Sequence, residues 1–376
     1  MAQNTLTTEP SMAAFQRGLP ADLINLHSSH PAPLSAQQLA HITRLDFAAI
    51  SHALSQDYAP VIGGEELRRA IVTAHYEVID HDDILTTCGA QEALFITMQA
   101  LLQQGDHVVC LTPIFEPLYQ QAKMAGAQVE TVPLLADSQW TIDWPALRQA
   151  VTDSTRLVII NFPHNPIGCH ISDKELTDLV NLCHQHDCWL LSDEVFRGLE
   201  HQTKTRLPAA VDCYDKAISI AVMSKAYGMP ALRLGWIACR QQQMRDRIIT
   251  VKRHLSICGS RLDETVAQQL LPHSAKIFNH HRQQLSKNRR QLADSLQYLP
   301  HLQVHLPAAG ATCFVRLQAN QKAAAVTGDD FARQLARQQG LLVLPNSCFI
   351  TDTPGFRLSI ADAAMADHYP QLMIDP

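Results

Sequence analysis

The chain has 376 residues, 46% of them hydrophobic and 18% charged, with a formal charge of −6 and a pI near 6.3. This excludes a disordered chain and gives no electrostatic signature for nucleic-acid binding, while the length suits two or three domains. No run of about 18 apolar residues is present, and the N-terminus lacks a basic segment followed by an apolar one, so neither a membrane span nor a secretion signal is expected.

The N-terminal 45 residues, rich in proline and serine, are expected to wrap onto a small second domain. Within them, the segment 25–31 is expected to help build the substrate side-chain pocket, and His27, Ser28, Ser29 and His30 are either polar groups of that pocket or, as the preferred reading, turn formers in a loop. Beyond them, short apolar runs fall at 107–111, 128–132, 156–161, 188–192, 217–223 and 235–239, with amphipathic stretches of helical length at 115–125 and 173–186. Continuous apolar strands alternating with helices predict an α/β fold with a mainly parallel sheet buried on both faces. After about residue 260 the pattern changes. A polar helical stretch at 263–299 precedes short strands at 312–317, 341–344 and 356–360, which predicts a smaller α+β domain. The expected division is 46–261 for the large domain, with 1–45 and 262–376 forming the small one.

Ten cysteines occur without a CxxC pair, mostly inside apolar runs, and read as free thiols of a cytoplasmic protein. Residues 183–188, Cys-His-Gln-His-Asp-Cys, match no common zinc spacing and read as a helix end entering a strand, so no metal is expected.

A buried parallel sheet carries its chemistry at the carboxyl ends of its strands. The run 156–161 leads into Asn161-Phe162-Pro163-His164-Asn165-Pro166-Ile167-Gly168, where two prolines and a glycine fix a loop. That loop either aims the Asn165 amide at a ligand or is a plain turn. The run 188–192 ends at Asp193, a carboxylate that is costly after an apolar strand unless a cation meets it. The run 217–223 ends in Ser224 and Lys225, and Arg233 follows in a loop containing glycine and proline. A desolvated lysine becomes a nucleophile for carbonyls, and an arginine fork suits phosphate. Earlier, Gly89, Ala90 and Gln91 open an amphipathic helix whose first N–H groups suit an anion. No glycine fingerprint of a dinucleotide or P-loop site is present. A carbonyl for Lys225, a phosphate for Gly89 and Arg233, and a ring cation for Asp193 describe one molecule, pyridoxal 5′-phosphate (PLP).

The set NFPHNPIG, SDEVFRG, SKAYGMPALRLGW and FRLSIA resembles the class I/II aminotransferases, PLP enzymes of fold type I, from about Tyr58 to Arg357. NFPHNP and Phe196 are similar to a branch that includes capreomycidine synthase, an arginine-derived cyclase. The resemblance implies that Lys225 forms the Schiff base and shuttles a proton, passing through a quinonoid, and that Asp193 keeps the pyridine nitrogen protonated. It implies that Asn165 donates to the ring O3′ and Phe115 stacks on the ring. Ala90, Gln91 and Arg233 would hold the phosphate, and Arg357 the substrate α-carboxylate. It further implies a homodimer in which Tyr58 reaches the neighbouring subunit's phosphate.

There are two departures. Phe196 stands where relatives carry a tyrosine, and Val222 stands where they carry a phosphate-binding hydroxyl, which Ser224 would partly replace. Transfer of an α-amino group to a 2-oxo acid is the leading reaction. A lyase, cyclase or oxidase acting on an arginine-like amino acid is the alternative. A non-catalytic sensor or partner subunit of the same fold is the alternative of another class.

Overall fold

The computed structural model describes residues 9–318 and 327–373. Its large sheet runs in the order Ile84–Thr87, Gly235–Cys239, Ala217–Val222, Trp189–Asp193, Thr155–Asn161, His107–Thr112 and Gln128–Pro133. All the strands are mutually parallel except Gly235–Cys239, which runs antiparallel to both neighbours. A parallel return needs a crossover of a dozen or more residues, usually a helix. Here Met223 N–H instead bonds Leu234 O at 3.0 Å, and the chain turns straight back. Every residue of Trp189–Asp193 and Ala217–Val222 is buried, as expected of strands covered on both faces. The sequence pattern did not indicate Ile84–Thr87, because two threonines interrupt its apolar run. Both are fully buried, and Thr86 Oγ1 donates to Glu264 Oε1 at 3.1 Å.

Helices Ala90–Leu101, Glu116–Met124 and Asp173–Gln185 follow the strands. The last begins at a reciprocal cap, in which Ser172 Oγ accepts from Glu175 N–H and Glu175 Oε2 accepts from Ser172 N–H. The expected helix at 263–299 is two helices, Arg261–Leu270 and Ser274–Leu296, separated by the turn Leu271–His273. Pro272 lies in that turn and cannot donate within a continuous helix.

The smaller sheet is antiparallel, in the order Leu344–Pro345, Gly355–Ser359, Thr312–Leu317 and Leu302–Val304. The expected strand at 341–344 divides, because Leu341–Leu342 pairs elsewhere, in parallel with Ile24–Asn25. Ser359 N–H then donates to Leu26 O at 2.7 Å. The N-terminal segment therefore wraps onto this part of the molecule and is fixed there by main-chain bonds. Among the described residues no helix is long and apolar enough to cross a membrane.

Candidate active site

Asp193 is the last residue of its strand and only 3% exposed. Asn161, at the end of the adjacent strand, donates from Nδ2 to Asp193 O at 2.8 Å, and Val195 N–H donates to Asp193 Oδ1 at 3.2 Å. Burial pushes the Asp193 carboxyl up to about 7, against the opposing charge of Lys225. Such a carboxylate is stabilised as an anion only when a cation is brought to it.

Lys225 follows the neighbouring strand. Burial, then the positive charge of Arg357, lowers its amine to about 8, with Asp193 pulling the other way and Arg233 adding to the fall. Its Nζ donates to Ser29 Oγ at 2.6 Å and lies 5.8 Å from the centroid of the Phe196 ring. An amine so placed is partly neutral near neutral pH and is nucleophilic.

The phosphate end is built from main chain and one arginine. Gly89, at φ +81°, precedes the helix Ala90–Leu101, whose first turn has no side-chain cap. A Cβ at position 89 would lie 2.5 Å from Arg233 Nη2. The guanidinium is therefore packed against the helix start, where free N–H groups and the helix dipole already favour an anion. Arg233 Nη1 donates to Ser224 Oγ at 3.1 Å, so the Ser224 hydroxyl belongs to this cup. Gly235 is also required here, since a Cβ would come within 3.0 Å of Ala90 N.

Arg357 comes from the small sheet and is 4% exposed. Nη1 donates to Asn165 Oδ1 at 2.9 Å and Nη2 to His27 O at 2.6 Å, while Nε is buried without a partner. Burial lowers the guanidinium to about 10. Asn165 is fixed in turn, its N–H donating to Asn161 Oδ1 at 2.9 Å. With Oδ1 engaged by Arg357, its Nδ2 is the group left to donate to a ligand. Phe115, partly buried, caps the helix Glu116–Met124 at the end of the next strand.

Lys225, Asp193, Asn165, Arg357, Ser224 and Arg233 thus converge. Tyr58 does not join them within this chain. It is 78% exposed, on a loop that Arg261 holds through the Asp57 and Tyr58 carbonyls at 3.0 and 2.9 Å. Two contributions were not read from sequence. Asn161 organises both Asp193 and Asn165, and the signal was an amide ending an apolar strand. The segment 27–30, read as a simple loop, instead delivers the His27 carbonyl to Arg357 and the Ser29 hydroxyl to Lys225.

These residues fit PLP on structural grounds. The glycine cradle beside Arg233 suits a phosphate, the buried Asp193 suits a pyridinium, and the Lys225 amine suits an aldehyde. The orphaned Arg357 Nε adds a donor for a carboxylate. The family model for aminotransferase class I and II matches residues 21–369. The chain belongs to this family. It is similar to capreomycidine synthase of Streptomyces vinaceus, 31% identical over 291 residues, which are 77% of this chain and 73% of that protein. It is also similar to an aspartate aminotransferase of Musicola paradisiaca, 25% identical over 331 residues, or 86% and 82% of the two chains. A PLP-dependent aminotransferase structure from Streptococcus suis superposes with a TM-score of 0.87 at 24% identity, covering 97% of this chain and 96% of that one, a likeness of fold.

As a member of the class I/II aminotransferase family with the fold-type-I architecture, the enzyme is PLP-dependent. Its two departures are both buried: Phe196 is 1% exposed and Val222 4%. Neither offers a hydroxyl to the site.

Proposed function

We propose that the enzyme moves the α-amino group of an amino acid to a 2-oxo acid. The observation that carries this reading is the convergence on Lys225 of a buried carboxylate, Asp193, and a buried guanidinium, Arg357. Bound PLP supplies an electron sink and a temporary carrier for the amino group. Every other task falls to the chain's own residues.

Lys225 would hold the cofactor through its amine and, when released, would take the proton from the substrate α-carbon and deliver it to the cofactor's C4′. Asp193, buried and ionised beside a cation, keeps that cation protonated. Asn165 would donate from Nδ2 to the ring oxygen, and Phe115 would cover the ring face. The N–H groups of Ala90 and Gln91, with Arg233 and Ser224, anchor the phosphate so that the reacting end stays registered against Lys225. Arg357 grips the α-carboxylate, with Asn165 and the His27 carbonyl holding two of its nitrogens in position.

We propose further that the large sheet with residues 46–261 forms one domain, and residues 1–45 and 262–376 the other. The site would be completed in a cytoplasmic homodimer by Tyr58 of the second copy, which its outward exposure supports. A second reading, a lyase or cyclase on the same machinery, is favoured by the relative named capreomycidine synthase and by Phe196. Presenting the holoenzyme with each common amino acid and 2-oxoglutarate separates the readings. Stoichiometric keto acid and glutamate support transamination. A cyclised or eliminated product without glutamate supports the second.

A further inference from the structure

We propose that Ser29 is a positioning residue for the Lys225 amine, an inference that rests on the reading of Lys225 as the proton-transferring base. Three observations carry it. First, Ser29 Oγ is the acceptor for Lys225 Nζ, at 2.6 Å, although the two residues are 196 positions apart. Second, the backbone on which Ser29 rides is fixed on its N-terminal side. Leu26 is fully buried, its N–H donates to Leu342 O at 2.9 Å and its carbonyl accepts from Ser359 N–H at 2.7 Å. His27 N–H donates to Asn25 Oδ1 at 2.9 Å, and the His27 carbonyl accepts from Arg357 Nη2 at 2.6 Å. A hydroxyl two residues beyond the carbonyl that fixes the carboxylate grip is thereby registered against that grip. Third, the amine also lies 5.8 Å from the centroid of the Phe196 ring, which offers no hydroxyl.

The lysine stem has four rotatable carbons, so a free amine wanders unless something holds it. Proton transfer between carbon centres demands a fixed approach, and an ångström of misplacement is costly. Ser29 accepts one N–H hydrogen bond and so restricts the position of the amine. No proton passes through the hydroxyl. Lys225 would take the α-proton on its lone pair, become ammonium, and give the proton up to the cofactor's C4′, regaining its lone pair. As an acceptor, Ser29 also favours the ammonium form, whereas removing it lowers the basicity of Lys225.

The test uses holoenzyme and the fastest-reacting of the twenty common amino acids, α-protonated and α-deuterated. Ser29→Ala and Ser29→Gly should keep the bound-cofactor absorbance and change KM less than threefold. In both, kcat should fall about tenfold or more, with a larger deuterium isotope effect and a rising limb of the kcat–pH profile displaced to lower pH. Ser29→Thr, which keeps the hydroxyl, should recover at least half of the lost rate. Unchanged isotope effect and pH limb in the Ala and Gly variants, or a Thr variant as impaired as Ala, would overturn the proposal. A wild-type enzyme that binds PLP but processes no amino acid would overturn the transferase reading, and this inference with it.

Discussion

Arg357 Nη1 donates to the amide oxygen of Asn165 at 2.9 Å, joining the middle of strand Gly355–Ser359 to the loop after strand Thr155–Asn161, 192 positions away in the chain. Each residue thereby fixes the other. The amide holds one edge of the guanidinium, and the guanidinium decides which end of the amide faces the ligand. Arg357→Lys keeps the charge and loses the fork. It should raise KM for the amino acid and lower kcat/KM by roughly thirtyfold, equivalent to about 2 kcal/mol, with cofactor binding nearly unchanged. Steady-state kinetics with a parallel PLP titration check both parts.

A single methyl group at Gly89 disturbs the cofactor site. A Cβ there meets Arg233 Nη2 at 2.5 Å and Cζ at 3.2 Å, in a backbone region, φ +81°, that side chains disfavour. Gly89→Ala should weaken PLP affinity by about tenfold or more while the amino-acid KM of the reconstituted enzyme moves little. Equilibrium dialysis against PLP measures it.

Asp193 carries a pH signature opposite to that of a surface carboxylate. Its pKa in the folded, cofactor-free chain is raised to about 7, against about 4 for an unfolded aspartate. The folded chain therefore binds the extra proton, and stability falls as pH rises from about 4 to about 7, reaching a constant penalty above that. Asp193→Asn removes the penalty. The cofactor-free variant should melt above wild type at pH 8, by about 2–4 °C per kcal/mol recovered, with a smaller gap at pH 5, while losing turnover. Scanning calorimetry of both proteins at the two pH values decides it. A variant that melts below wild type at pH 8 contradicts the burial argument.

Phe196 leaves the chromophore without a phenol donor. Phe196→Tyr should lower the pH at which the visible absorbance of the bound cofactor titrates, on the order of one unit. A spectral titration that gives the same midpoint for both proteins rejects this role.

The sheet was legible because its strands are continuous apolar runs, and the site because polar and charged residues end them. Asp193, Lys225 and Asn165 each stand where an apolar pattern breaks. Three features were not legible, for separate reasons. The threonines of Ile84–Thr87 hid a fully buried strand, since their hydroxyls are satisfied there, Thr86 by Glu264 and Thr87 by the Gly89 carbonyl. Pro272 divided a helix whose polar pattern reads straight through. Ser29 and His27 acquire their roles only from long-range folding. Nothing local distinguishes a serine bonded to Lys225 from a turn former, and His27 contributes a carbonyl that any residue type could supply.

The most direct test of the central claim is the absorbance of purified enzyme and its Lys225→Ala variant with PLP, before and after each of the twenty amino acids. Wild type should be yellow, and one amino acid should bleach the visible band to the pyridoxamine form with one keto acid released per site. Lys225→Ala should lose the lysine-linked band and at least about a thousandfold in rate. A wild-type protein that stays colourless with added PLP, or a Lys225→Ala variant that turns over like wild type, would contradict the assignment of Lys225 as the group that holds the cofactor.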